Sequence, residues 1–244
     1  MPSPFYQAAL KGDWKSANGV IEIFPTVIRS SITKGWETAL HIAAAAKHIH
    51  FVEELVGLMN PEDLELQNSN GNTALCFPAA DGTVRIAEVM INKNEHVPMI
   101  RGSQGMTPLY VASLLGHSDM FHTPFSLSLS KFLPKSSNQT QHKSEDLSDE
   151  DRIGILNACV STELYDAALD ILKHHPQLAV TRDGNGETTL HVLARKPSAF
   201  IGGSRITDLI IGVPLGGRTT ARFLSFCDRL FGLNLFCRCS PAEY

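Results

Sequence analysis

The chain has 244 residues, of which 43% are hydrophobic and 19% are charged, and its formal net charge is −4. These values are typical of a soluble globular protein of one or two domains, and the charge gives no reason to expect nucleic-acid binding. The first residues lack the basic start and apolar run of a secretory signal, so the five cysteines are expected to be reduced inside the cell. The most apolar stretch, residues 206–217, is too short to span a bilayer.

A short motif recurs along the chain at a spacing of about 34 residues. Each of four copies has a threonine with a leucine two positions later: Thr38 and Leu40, Thr73 and Leu75, Thr107 and Leu109, Thr188 and Leu190. A weaker copy begins at Ser3, and a further one lies around Ala158. A period of this length predicts stacked structural units, because one unit cannot bury its apolar face alone.

Each copy also carries the signals of a helix pair. The threonine precedes a short apolar run, where its hydroxyl is expected to cap the first helix. Pro108 follows Thr107 at the first helical position, where a missing N–H costs nothing. Gly12 and Gly116 come after the first helices and suit a left-handed turn into a second helix. Polar, glycine-bearing segments such as residues 68–71 predict tight hairpins between units.

The motif Thr-x-Leu-His at residues 38–41 and 188–191, together with the hairpins, resembles the ankyrin repeat. A tetratricopeptide array has a similar period but no such hairpin, and it ranks well below. Residues 71–77, 164–168 and 183–191 are similar to plant ankyrin-repeat proteins that carry a C-terminal membrane domain with a Pro-Gly-Gly (PGG) signature. That domain is lacking in this sequence, so a membrane anchor does not follow from the resemblance.

The predicted fold is therefore all-α: an ankyrin-repeat solenoid of helix-turn-helix units with β-hairpin-like fingers, interrupted by a disordered loop. Residues 1–125 would form about four repeats, the first degenerate, and residues 151–197 about two, partly degenerate. Residues 126–150 are expected to be a polar flexible linker because they cannot bury enough apolar surface. Residues 198–244 are expected to combine an irregular segment with an amphipathic helix.

Two residues depart from the repeat pattern. Lys47 stands where the turn glycine usually lies. Pro78 occupies a small-residue position within a first helix, where proline removes a hydrogen bond at a cost of ~3 kcal/mol. We expect a kinked or shortened first helix in that repeat.

The ankyrin resemblance implies recognition of a partner protein through a concave surface of hairpin tips and first helices. The residues that match those positions are Lys34, Trp36, Asn68, Asn70, Arg101, Gln104, Tyr110, Arg182 and Asn185. Trp36 and Arg101 are the favoured pair, because exposed aromatic and arginine side chains contribute most to interface energies.

Other residues are candidates for modification or membrane contact. Ser144 and Ser148 precede acidic residues and are candidate phosphorylation sites, although a plain solvated loop without regulation is the favoured explanation. The amphipathic stretch within residues 219–244 is expected to cap the array. It could instead contact a membrane, and Cys237 and Cys239 would then be candidates for acylation.

No constellation in the sequence supports catalysis, a cofactor or a metal ion. His41 and His191 hold the fourth position of the motif, which in ankyrin repeats makes structural hydrogen bonds. The sequence has no nucleophile elbow, and Cys237 and Cys239 lack a second ligand pair. We therefore expect a non-enzymatic, intracellular and cytoplasmic scaffold, which the plant resemblance connects with stress or defence signalling. The alternative is a peripheral membrane-associated regulator that uses its tail.

Overall fold

The computed structural model describes residues 3–122 and 148–196. The chain divides into two compact units, Met1–Phe132 and Leu133–Tyr244. Throughout the described residues the regular structure is helical, and the one isolated β-bridge pairs Gln67 with Thr73. The predicted all-α class is confirmed.

The first unit is a row of helix pairs. Its helices are α1 (Pro4–Lys11), α2 (Trp14–Ile23), α3 (Ala39–Ala45), α4 (Ile49–Leu58), α5 (Cys76–Asp81), α6 (Val84–Lys93) and α7 (Pro108–Leu114). A 3-10 turn at Ser118–His122 follows α7. The first helices of successive pairs, α1, α3, α5 and α7, pack against one another in chain order, and α4 packs against α2 and α6. Each pair therefore completes its core with its neighbours, as the repeat predicts.

The described part of the second unit, residues 148–196, starts with a longer helix. Its helices are α8 (Asp149–Ser161), α9 (Tyr165–His174) and α10 (Thr189–Ala194), and α8 packs against both of the others. Ser148 caps α8, since its Oγ accepts from the Asp151 N–H at 3.2 Å. Residues 148–150, which the sequence places at the end of the linker, are the N-cap and the first two residues of α8. Three acidic residues in the first turn complement the positive end of the helix dipole, so residues 148–150 belong to the helix start.

Small residues let the first helices approach closely. Ala9, Ala43, Ala79 and Ala112 are each completely buried between neighbouring helices. Larger side chains from the second helices fill the remaining space, among them Leu55 and Met90, and they are also fully buried. Each such burial is worth roughly 1.5–3 kcal/mol, so the stacking of repeats supplies most of the stability.

The turn between the two helices of a pair takes a left-handed conformation in every repeat where both helices are described. The residue there has a φ of +69° at Gly12, +62° at Lys47, +70° at Gly82, and +65° at Glu163. The turn before the 3-10 segment has +77° at Gly116. Lys47 thus adopts the glycine conformation although it has a Cβ atom, which costs about 1–2 kcal/mol.

The helix that contains Pro78 is shortened, as predicted. Helix α5 begins at Cys76, three residues after Thr73, whereas α3 and α7 begin directly after their threonines. Pro78 is consequently the third residue of α5, in the first turn, where backbone N–H groups have no helical acceptor. The shorter helix avoids the cost of placing proline in a helix interior.

Several predictions fall on residues outside the described ones. These are the linker up to residue 147 with Ser144, and the tail of residues 198–244 with Cys237 and Cys239. In the part of the chain that the structure covers, no helix has the length and apolar character needed to cross a bilayer.

Candidate protein-binding surface

Four short fingers precede the motif threonines. Three belong to the first unit, at residues 32–37, 67–72 and 101–106, and one to the second, at residues 182–187. A backbone hydrogen bond closes each finger: Asn68 N–H donates to the Asn72 carbonyl at 2.9 Å, and Gly102 N–H to the Met106 carbonyl at 2.7 Å. In the first finger the donor lies one residue earlier in the repeat, and the Ile32 N–H donates to the Glu37 carbonyl at 2.8 Å.

A polar side chain inside most fingers holds the turn together. Asn68 Oδ1 accepts from the N–H groups of Asn70 and Asn72, both at 3.0 Å. Thr33 Oγ1 and Asp183 Oδ1 accept from the equivalent pairs of N–H groups in their own fingers. Asn68 is only 6% exposed and its amide oxygen is used inside its own finger, so a contact of its side chain with a partner stays a prediction. It is a turn-forming residue, because an asparagine amide can bond its own backbone.

The three fingers of the first unit are bonded to one another. Ser69 N–H donates to the Gly35 carbonyl at 2.8 Å, and Ser103 N–H donates to Asn72 Oδ1 at 2.7 Å. Gln67 Nε2 donates to the Arg101 carbonyl at 2.9 Å. These bonds join the fingers into a continuous row with fixed spacing.

His41 connects a first helix to the next finger. The Thr38 N–H donates to its Nδ1 at 3.2 Å, so Nδ1 is an acceptor and the proton lies on Nε2. Nε2 then donates to the Asn72 carbonyl at 3.1 Å. Burial lowers the pKa of His41 below its ordinary value, and outweighs the opposing effects of the Asn72 carbonyl and Glu37. The neutral ring is therefore the form that holds the finger.

His191 makes the same local contacts as His41. Thr188 N–H donates to its Nδ1 at 3.2 Å, and Thr188 Oγ1 lies 2.8 Å from the same atom. The structural role predicted for both histidines is confirmed. Among the described residues, no group of three or more His, Cys, Asp and Glu side chains is arranged to hold a metal ion.

In all four fingers, the residue two places before the motif threonine has a positive φ. Three of these residues are glycines, Gly71, Gly105 and Gly186, with φ of +80°, +73° and +76°. The fourth is Trp36, with a φ of +59°, and its side chain is 65% exposed. A bulky residue rarely adopts this conformation, which costs about 1–2 kcal/mol. An indole is thus held at the tip of the first finger while most of its surface stays exposed, so burial offsets little of that cost.

Comparison with known proteins identifies the repeats. Residues 40–123 match the model of the family described as ankyrin repeats, in three copies. These residues are ankyrin repeats. The helix pairs and the fingers described within residues 3–122 agree with that assignment.

Two curated plant proteins are similar to part of the chain. The chain is 29% identical over 143 residues to "Probable E3 ubiquitin-protein ligase XBOS32" of Oryza sativa subsp. japonica, covering 59% of this chain and 28% of that protein. It is 30% identical over 129 residues to "E3 ubiquitin-protein ligase XBAT33" of Arabidopsis thaliana, covering 52% and 24%. The chain therefore spans only about a quarter of the length of these relatives.

A chain of one solved structure also resembles this protein. The "Crystal Structure of the Yeast Ribosomal Protein Rps3 in Complex with its Chaperone Yar1" matches with a TM-score of 0.47 and 23% identity. The match covers 55% of this chain and 94% of that chain.

Most of the predicted partner-binding residues lie on the four fingers with exposed side chains. These residues are Lys34, Trp36, Asn70, Arg101, Gln104, Arg182 and Asn185. Two of them also brace their own fingers: the Arg101 guanidinium donates to the Gly105 carbonyl at 2.9 Å, and that of Arg182 to the Gly186 carbonyl at 2.6 Å. Tyr110 is half-buried in the first turn of α7.

The sequence prediction missed an apolar row on the ankyrin first helices. Ile42, Phe77 and Val111 each lie four residues after a motif threonine, and each remains partly exposed. They lie on α3, α5 and α7, which pack side by side, and the Phe77 ring meets His41 edge-on with the ring centroids 6.1 Å apart. The repeat register could have revealed this row, because the fourth position after threonine is apolar in three successive copies. We call the three fingers of the first unit and the exposed sides of α1, α3, α5 and α7 the finger surface.

Proposed function

We propose that the chain is a non-enzymatic scaffold that binds a partner protein through the finger surface. The coarser statement, that ankyrin repeats serve protein binding, follows from the family. The observation that carries the finer proposal is Trp36, an exposed indole in a left-handed backbone conformation where the other three fingers have glycine. Residues held in a rarely populated backbone conformation cluster at functional positions.

The energetics of interfaces agree with a role for this residue. Tryptophan and arginine are the residue types most enriched among interface hot spots, and burial of the indole by a partner would recover the free energy lost to backbone strain. Arg101 is exposed on the third finger, and its guanidinium is already oriented by the Gly105 carbonyl. An ordered side chain loses less entropy on binding.

The test is affinity capture with quantitative mass spectrometry, comparing wild type with Trp36→Gly and with a Trp36→Ala/Arg101→Ala double variant. We expect both to lose the specific partners, while Trp36→Gly has a higher melting temperature because its strain is relieved. Lys47→Gly is the matched control, since it relieves the same backbone strain at a turn between helices and should leave capture unchanged. Unaltered capture by both finger variants would remove the finger surface from the proposal.

The two ligase relatives favour a second candidate, in which the ankyrin repeats recruit a protein for ubiquitylation. This candidate rests on similarity over about a quarter of each relative, and the enzymatic part would lie with other domains or partners. It is tested by following ubiquitylation of a captured protein in cells that express the wild type or Trp36→Ala. Equal ubiquitylation with both would refute it.

The remaining features of the proposed setting come from the family resemblance. A role in plant stress or defence signalling stays a prediction from that resemblance, and the two relatives add only that similar proteins occur in plants. An intracellular, cytoplasmic location stays a prediction of the sequence. Liposome flotation with and without residues 219–244 tests the membrane-associated alternative, whose residues lie outside those described.

A further inference from the structure

The last described repeat of the second unit has a first helix, α10, and no second helix among the described residues. In the first unit the second helix of a repeat covers the first, since α4 packs against α3 and α6 against α5. The described residues end at Lys196, just after α10. The main contacts of α10 are made with α8 and with the 3-10 turn Pro176–Ala179. Within the described residues, one side of α10 therefore lacks the helix that covers the same side of α3 and α5.

The motif leucine shows that this side of α10 is open. Leu40, Leu75 and Leu109 are 1%, 0% and 5% exposed. Leu190 holds the same motif position and is 41% exposed. Since the terminal repeats of such an array require a cover for their apolar side, Leu190 marks a docking face on α10.

The residues at the expected place of the second helix are poorly suited to cover this docking face. The buried residues of α4 and α6 form two adjacent apolar pairs, the second pair four positions after the first: Phe51–Val52 and Leu55–Val56 in α4, and Ile86–Ala87 and Met90–Ile91 in α6. Counted from the motif threonine, the same positions after Thr188 hold Ile201, Gly202, Arg205 and Ile206. Glycine weakens a helix interior, and a buried arginine requires a partner for its charge.

The same paired pattern reappears further along the sequence. Phe226 and Cys227 are followed four positions later by Leu230 and Phe231, and a free cysteine behaves as a small apolar residue. These residues lie within the amphipathic stretch 219–236, which is outside the described residues and which we call the tail segment. The chain between α10 and the tail segment is far longer than the ~10 Å between packed helices requires. Both belong to the same unit, Leu133–Tyr244.

We propose that the tail segment docks on α10 of its own chain as the second helix of the last repeat. Phe226 and Leu230 then cover Leu190, and Cys227 is buried beside them. The inference is independent of the proposed function, because the docking face lies on the second unit and the finger surface on the first. Docking also buries the apolar face of the tail segment, so that this face is not offered to a bilayer.

The test is alkylation of the native full chain with iodoacetamide, followed residue by residue with peptide mass spectrometry. Cys227 lies on the apolar face of the tail segment, whereas Cys237 and Cys239 lie beyond it. We expect Cys227 to react roughly tenfold or more slowly than these two, because a buried thiol reacts only when its helix opens. Equal rates would overturn the proposal. Protection that disappears on dilution, or that requires phosphatidylserine vesicles, would assign the segment to a second copy or to a membrane and also overturn it.

A substitution on the docking face identifies the site of protection. Leu190→Asp should raise the Cys227 rate to that of Cys237, while the buried Cys159 stays protected and shows that the second unit is folded. Leu58→Asp is the matched control, since Leu58 is an exposed leucine of the first unit and its replacement should leave Cys227 slow. Continued protection of Cys227 in Leu190→Asp would overturn the proposal, because the tail segment would then be covered elsewhere.

A second variant decides the question if Leu190→Asp also exposes Cys159 and thus unfolds the unit. Phe226→Ser/Leu230→Ser changes the tail segment and leaves α10 intact. It should speed hydrogen exchange in residues 189–194 while Cys159 stays protected, because the cover of α10 is lost. Exchange in residues 189–194 that matches the wild type would overturn the proposal.

Discussion

Replacing Gly82 with alanine is expected to destabilise the first unit for two separable reasons. Gly82 forms the turn between α5 and α6 with a φ of +70°. A Cβ atom there would lie 2.6 Å from Nδ1 of His117, which belongs to the following repeat. The imidazole lies over the glycine because His117 Nε2 donates to the Ala80 carbonyl at 2.7 Å. The turn of one repeat is thus covered by a side chain of the next.

The magnitude follows from these two effects. Alanine in a left-handed conformation costs about 1–2 kcal/mol. Displacing His117 would weaken or break its hydrogen bond to the Ala80 carbonyl, which is worth about 0.5–1.5 kcal/mol. We therefore expect Gly82→Ala to lower the free energy of unfolding by about 1.5–3.5 kcal/mol.

The assay is urea unfolding of the full chain, followed by helical circular dichroism. Gly57→Ala is the matched control, since Gly57 lies within α4 and an added Cβ would meet nothing within 4 Å. That variant should gain about 0.5–1 kcal/mol, because alanine favours a helix over glycine. In a His117→Ala background the cost of Gly82→Ala should fall to the backbone part alone, about 1–2 kcal/mol. Wild-type stability of Gly82→Ala, or an undiminished cost in that background, would refute the reasoning.

A strained turn residue, a buried imidazole and a buried thiol give three further predictions. Glu163→Gly should stabilise the second unit by about 0.5–1 kcal/mol in urea unfolding, because Glu163 has a φ of +65° and glycine has no Cβ penalty there; a loss of stability would contradict this. The stability that His41 contributes should be complete above pH 6.5 and decline as the pH falls towards its folded-state pKa, because burial lowers that pKa and the unfolded chain binds the proton more readily. The difference in unfolding free energy between wild type and His41→Ala, measured from pH 8 to pH 5, should shrink on acidification, and a constant difference would show that protonation is not coupled to folding. The Cys159 thiol should resist iodoacetamide until the protein unfolds, because it is fully buried and burial raises its pKa. Labelling is measured by peptide mass spectrometry, and alkylation of Cys159 in the native protein would contradict the prediction.

The helix pairs could be predicted from sequence because several weak signals recur in phase. Thr38, Thr107 and Thr188 stand at the N-cap positions of α3, α7 and α10, whereas Thr73 does not cap α5, which begins three residues later. The buried alanines and the turn residue follow from the same register, which marks Lys47 as the occupant of a glycine position, and its φ is +62°. Pro78 likewise predicted a shortened helix, since proline is tolerated in the first turn and nowhere deeper.

The side-chain details of the fingers were harder to predict. Asn68 was expected at an exposed tip, but asparagine before a turn can either project outward or accept hydrogen bonds from its own backbone, and the sequence does not distinguish these states. The acidic residues at 148–150 looked like linker because their composition is that of unfolded chains. In the structure the same charges stabilise a helix start capped by Ser148. The backbone strain at Trp36 could be predicted from the repeat register, because the equivalent residue in the other three fingers is glycine.

The central claim is that a row of bonded ankyrin fingers forms the partner-binding surface. Hydrogen exchange of the full chain, with and without a captured partner, tests it most directly. The account predicts that binding slows exchange in residues 32–37, 67–72 and 101–106 and leaves the second helices α2, α4 and α6 unchanged. Slowed exchange confined to those second helices, with the fingers unaffected, would contradict it.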